Sequence, residues 1–186
     1  MNTPSSNIPL YRSQRALLFD WGDTLMRVFP EYPSPMSSWP RVEAMPYALQ
    51  TLAALHPSYT LCLATNAADS TEADIRSALA RVALDPYIDR VYCYRKIGVK
   101  KPRPEFFQFI LEDLGLPPAQ LVMVGDDYEA DILGALQAGM HAVWLHPHQS
   151  SHPARSRMQV IPDLSFLPSA IRENGIGTNK IGRQGV

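Results

Sequence analysis

Short apolar runs that each stop at a polar or small residue constrain this chain more than anything else in it. Ala16–Phe19 ends on Asp20, Leu61–Ala64 ends on Thr65 and Asn66, Leu121–Val124 runs into Gly125-Asp126-Asp127, and Ala142–Leu145 follows soon after. The runs are continuous, without polar alternation, which is the pattern of strands covered on both faces, as in a parallel sheet. Val91–Tyr94 is a further short strand candidate. Between the runs the apolar spacing changes to that of helices. Leu49, Leu52 and Leu55 follow Pro46; Ile75, Ala78, Leu79 and Val82 keep the i, i+3, i+4, i+7 pattern; Phe106, Ile110 and Leu114 lie four apart. Pro104 opens that last helix and Gly115 closes it, and another helix extends to about Ala138 with Gly139 as its cap. Strands alternating with helices imply right-handed crossovers and an α/β fold with a doubly wound, Rossmann-like parallel sheet.

The domain reading is an N-terminal extension over 1–14, one α/β domain over 15–171, and a flexible tail over 172–186. Seven of the 17 prolines fall in the first 46 residues, so a Pro-rich insert is expected at about 28–46. Seventeen basic and 18 acidic residues leave a formal net charge of −1. That balance argues against a nucleic-acid or membrane-surface binder, which needs an excess of one sign. No apolar run approaches the ~18 residues of a membrane span, and Met1–Leu10 lacks a signal-peptide pattern. Cys62 and Cys93 sit inside apolar segments and read as buried thiols of a reducing, cytoplasmic compartment.

In an open parallel sheet ligands bind at the carboxyl ends of the strands. The residues just past the apolar runs are therefore the candidates: Asp20 and Asp23, Thr65 and Asn66, then Asp126, Asp127 and Asp131, with Lys100 and Lys101 before the Pro104 helix. Carboxylates, a hydroxyl and a lysine converging on one crevice suit a divalent cation and a phosphate. Hard oxygens hold Mg²⁺, while metal and ammonium offset the phosphoryl charge. Simpler roles compete at each position. Asp126 and Asp127 could cap the following helix, Thr65 could serve a turn, and Lys101 could be an exposed lysine. His146, His148 and His152 read as plain surface more readily than as a metal site. The basic cluster Arg95, Lys96, Lys100, Lys101 and Arg103 reads as a solvated rim or as an attractor of anionic substrate.

Four segments in order resemble the haloacid dehalogenase superfamily of phosphohydrolases: Leu18-Phe19-Asp20-Trp21-Gly22-Asp23-Thr24, Leu63-Ala64-Thr65-Asn66, Gly98-Val99-Lys100-Lys101-Pro102-Arg103-Pro104, and Gly125-Asp126 with Asp131. The resemblance implies a nucleophilic Asp20 that forms an aspartyl-phosphate. It implies phosphoryl binding by Thr65, Asn66 and Lys101 and by the backbone at Trp21 and Gly22. It implies Mg²⁺ on Asp20, Asp126 and the Gly22 carbonyl, with Asp127 and Asp131 beside them. The substrate would be a phosphorylated small molecule or a phosphoprotein.

One position departs from the pattern. Where the phosphatases carry an Asp that protonates the leaving group, this chain has Gly22. Asp23 is one residue late; in extended backbone it faces away from Asp20, unless the loop re-aims it to serve as the catalytic acid instead. A lost general acid costs about 10²–10⁴ in rate, so cleavage of alkyl phosphates is expected to be slow and that of acyl or aryl phosphates less affected. The other reading is a catalytically weak domain that binds a phospho-ligand or a protein. Neither the interval from Asp20 to Thr65 nor that from Thr65 to Lys101 holds a cap domain. Phe29, Tyr32 and Trp39 of the Pro-rich piece are left to cover the site or to pack on the surface.

Overall fold

In the computed structural model, residues 15–33, 35–147 and 155–173 are described. Six strands form a single parallel sheet: β1 Ala16–Phe19, β2 Thr60–Thr65, β3 Arg90–Cys93, β4 Leu121–Gly125, β5 His141–Leu145 and β6 Met158–Ile161. Their order, β3-β2-β1-β4-β5-β6, puts β1 at the centre and reverses direction beside it. The expected α/β doubly wound fold is the observed one.

The continuous apolar runs are explained by layers on both faces of the sheet. Leu17, Phe19, Leu61, Leu63, Val122 and Val124 point to one side, where they meet α1 (Ala48–Leu55), α2 (Glu72–Ala80) and α6 (Leu167–Glu173) through Leu52, Ile75 and Ile171. Ala16, Leu18, Cys62, Ala64, Leu121 and Met123 point to the other, against Phe106, Phe107 and Ile110 of α4 (Pro104–Leu114). Successive residues thus serve opposite cores, which is the period of two expected of a strand. A short helix, α3 (Tyr94–Ile97), follows β3, and the segment after β4 winds as a π-helix over Tyr128–Leu133 before α5 (Gly134–Gln137).

Several boundaries obey the expected signals. Gly115 ends α4 in the left-handed region at φ 63°, and Thr71 with Asp74 forms a reciprocal capping box on α2. Pro46 does not open α1. Tyr47 takes a left-handed conformation at φ 65°, and the helix begins at Ala48. β6 and α6 are additional to the sequence reading. Met158, Gln159 and Val160 of β6 are only half-buried at the sheet edge, so their apolar signal is weak.

Among the described residues no cap domain is present. Apart from one 3₁₀ turn at Met36–Ser38, the Pro-rich insert has no helix. It is pinned by Arg81, whose Nη1 donates to the carbonyls of Ser37 and Trp39 at 3.2 and 2.7 Å. Phe29, Tyr32 and Trp39 meet edge to face or tilted, and pack on the α1/α2 core. Of the two readings for these rings, packing is the one observed. Cys62 and Cys93 are buried and free. Among the described residues no helix is long and apolar enough to cross a membrane. Residues 1–14, 174–186, and His148 and His152 lie outside the described residues.

Candidate active site

The register sets the site. Phe19 is level with Leu63 on one neighbour and Val124 on the other, so Asp20, Thr65 and Asp126 leave the sheet at the same edge. They line a cleft of about 280 Å³ together with Gly22, Asn66, Lys101, Asp127 and Asp131.

Lys101 is the centre of this cleft. Its side chain is 1% exposed, and Nζ donates to Asp20 Oδ1, Asp131 Oδ1 and the Ala64 carbonyl, each at 2.6 Å. All three ammonium protons therefore have acceptors. Burial pulls the ammonium's pKa down, but Asp20 and Asp131 outweigh it and leave Lys101 above its usual value. The lysine backbone is held as well. Asn66 accepts from the Lys101 N–H at 2.7 Å and donates Nδ2 to its carbonyl at 3.1 Å. Of the readings weighed for Lys101, the exposed one is excluded.

Three carboxylates, Asp20, Asp126 and Asp131, bring one oxygen each within 4.8 Å of one another. Against one ammonium, they leave formal negative charge uncompensated. Burial, and then Asp20, raise the pKa of Asp126 even though its side chain opens to solvent. Burial raises Asp131 too, against the opposing pull of Lys101. Crowded hard oxygens with excess charge are the donor set of a divalent cation such as Mg²⁺.

The remaining candidates divide. Asp131 uses both oxygens on the protein, Oδ1 for Lys101 and Oδ2 for the Asp127 N–H at 3.2 Å. A Cβ on Gly125 would lie 2.1 Å from Asp131 Oδ2, so the strand must end in glycine for this carboxylate to fit. Asp127 caps the π-helix, its Oδ1 accepting from Glu129 and Ala130 N–H at 3.0 and 2.9 Å, and it is outside the three-carboxylate cluster. Thr65 Oγ1 accepts from the Ala67 N–H at 3.2 Å, a turn contact that leaves it in the cleft wall.

Trp21 and Asp23 do not bring their side chains to the cleft. The Trp21 indole is buried and donates to Met26 Sδ at 3.1 Å. Asp23 sits in the left-handed region at φ 53°, and its Oδ1 accepts from the Val28 N–H at 2.9 Å. At Gly22 an added Cβ would stand 2.8 Å from a methyl of Val28. His146 stacks on Trp144, with centroids 4.3 Å apart. In the basic cluster, Arg95 donates to the Ala68 carbonyl at 2.9 Å and Lys96 to the Val91 carbonyl at 3.2 Å.

Thr24 was missed as a site residue. It is buried, and its Oγ1 donates to Asp126 Oδ1 at 3.1 Å, tying the first loop to the fourth. A threonine four positions after Asp20 in a loop was the available signal, since a buried hydroxyl there needs a partner.

With this geometry stand three comparisons. The haloacid dehalogenase-like hydrolase family matches residues 39–139, which include Thr65, Lys101, Asp126 and Asp131. The chain belongs to that family. It is 32% identical over 110 residues to the pyrimidine 5'-nucleotidase YjjG of Escherichia coli (strain K12), covering 59% of this chain and 48% of that protein. It is 38% identical over 66 residues to a glyceraldehyde 3-phosphate phosphatase of Pyrococcus furiosus, covering 36% of this chain and 28% of that one. The chain thus spans less than half the length of these curated relatives. An uncharacterized protein from Listeria monocytogenes serotype 4b has a solved structure that superposes with a TM-score of 0.76 at 27% identity, over 86% of this chain and 98% of that one.

Proposed function

We propose that this chain is a Mg²⁺-dependent phosphohydrolase that works through an aspartyl-phosphate on Asp20 and favours substrates with good leaving groups. The observation that carries the reading is the buried Lys101 ammonium, held 2.6 Å from both Asp20 and Asp131 at the mouth of the parallel sheet. An Asp20 oxygen forms the new P–O bond while the leaving oxygen departs with its electron pair, and water later cleaves the acyl-phosphate. Lys101, fixed by Asp131 and by the Asn66 amide, neutralises phosphoryl oxygens, with Thr65 lining the same cleft. Asp20 and Asp126, with the Gly22 carbonyl, would hold the Mg²⁺, and Thr24 orients Asp126. When bound, the ion offsets charge on the phosphoryl oxygens. The pyrimidine nucleotidase and glyceraldehyde 3-phosphate phosphatase relatives support a phosphorylated small molecule as substrate, ahead of a phosphoprotein. Two free, buried thiols support a reducing, cytoplasmic setting.

Selectivity follows from Gly22. The site of the expected general acid has no side chain, and a Val28 methyl lies against it. The same contact favours a second reading, a domain that keeps phosphate binding but has lost turnover. Acetyl phosphate and p-nitrophenyl phosphate discriminate, because both leave as weak bases. Hydrolysis with Mg²⁺ that disappears with chelator and in Asp126→Ala supports the enzyme. Mg²⁺ at ten times its Kd should also add about 1.4 kcal/mol, a rise of about 3–6 °C in Tm for a chain this size. Phosphate binding without turnover of either substrate selects the binding domain.

A further inference from the structure

A second concavity of about 330 Å³ adjoins the catalytic cleft, and Asp126 belongs to the walls of both. We infer that this groove receives the organic part of the substrate, and that the substrate class is aryl phosphate monoesters without a second anionic group. The inference rests on the phosphohydrolase reading and extends it from the phosphate to the leaving group.

Three features carry it. First, Asp126 stands in the walls of both, so the groove begins at a side chain that borders the phosphoryl site. Second, the groove is faced by Met45, Pro46, Leu145, Pro147, Pro162 and Leu164. Three of these six are prolines, whose fixed φ gives a wall that loses little entropy on binding a flat apolar group. Third, among the described residues every charged one in the lining is acidic: Asp23, Asp126 and Asp163. Each has a donor already, Asp23 from the Val28 N–H, Asp163 from the Ser165 N–H at 2.8 Å and Asp126 from the Thr24 hydroxyl. The groove is thus lined by carboxylate acceptors, which disfavours a carboxylate or second phosphate on the substrate. An aromatic leaving group also departs as a stabilised phenolate, which is the chemistry a site without a side chain at residue 22 can support.

The test uses the full chain with Mg²⁺ and four substrates: acetyl, phenyl, naphthyl and carboxyphenyl phosphate. Wild type should prefer naphthyl over phenyl, and phenyl over carboxyphenyl, in kcat/KM. Naphthol should inhibit naphthyl phosphate hydrolysis competitively. Met45 is half-buried on the groove wall, so Met45→Trp should fill it and raise KM for naphthyl phosphate about tenfold, the factor expected when some tens of Å² of apolar contact are lost. Acetyl phosphate kinetics should not change. Met45→Arg should reverse the order of phenyl and carboxyphenyl phosphate, an outcome that damage to the fold does not produce. If acetyl phosphate is hydrolysed but wild type shows neither aryl preference nor naphthol inhibition, the groove inference is overturned and the phosphohydrolase stands. If acetyl phosphate is not hydrolysed at all, the phosphohydrolase reading fails and the inference with it.

Discussion

Restoring a carboxylic acid two residues after Asp20 probes the most unusual position in the site. Gly22 is not in the left-handed region, so an L-residue is compatible with its backbone, but its Cβ would stand 2.8 Å from Val28 Cγ2. That methyl belongs to an exposed side chain, 37% accessible, on the insert. Gly22→Asp alone should therefore cost about 1–3 kcal/mol of overpacking unless Val28 turns away. Val28→Ala removes the obstructing methyl and keeps the backbone N–H that Asp23 accepts. The double variant should recover most of the loss in a thermal melt. It should also raise hydrolysis of an alkyl ester, such as a sugar phosphate, by up to about 10²–10⁴, the usual range for a general acid. Acetyl phosphate, whose leaving group needs no proton, should change little. Equal wild-type rates on alkyl and acyl phosphates, with the alkyl rate lost in Asp23→Ala, would refute the reasoning by showing that Asp23 already donates the proton.

Other perturbations test the supports of the site. Asn66→Ala removes two hydrogen bonds to the Lys101 backbone; it should cost about 1–3 kcal/mol in a denaturant titration and raise KM for any phosphate ester. Gly125→Ala drives a methyl into Asp131, so it should separate the buried Lys101–Asp131 pair at a cost of about 3 kcal/mol or more and abolish turnover together with stability. His141 is held below its usual pKa of 6.5 by burial and then by Arg157. The unfolded chain binds its proton more readily, so stability should fall as pH drops below 6.5. His141→Gln should flatten that part of the melt-against-pH curve relative to wild type.

The fold was legible because a strand buried on both faces leaves an uninterrupted apolar run, and five of the six strands have one. β6 has no such run, since Gln159 interrupts it and the edge position exposes its flanks. α6 was hidden for a related reason: its role is to cover the α1 side of an edge that the sequence did not announce. In the site, Asp20, Thr65, Lys101 and Asp126 could be read as a group because strand ends of a parallel sheet share one edge. What could not be read was how each side chain is committed. Asp127 and Asp131 differ by four positions on one helical segment, yet one caps it and the other fixes Lys101. Asp23 was expected to face away from Asp20; the left-handed backbone and the Val28 N–H that direct it are set by the loop's return toward Met26. Thr24 finds Asp126 only after the two loops are folded together, a contact across more than a hundred residues.

The claim that all of this serves a phosphoryl group transferred to Asp20 has one direct measurement. Wild-type chain is mixed with excess acetyl phosphate and Mg²⁺, quenched in cold acid during turnover, and analysed by intact and peptide mass. A covalent phosphoryl group should appear on the peptide carrying Asp20, vanish on incubation at alkaline pH as an acyl-phosphate does, and be absent from Asp20→Asn. A phosphoryl group on any other residue, or undiminished hydrolysis by Asp20→Asn, would contradict the account.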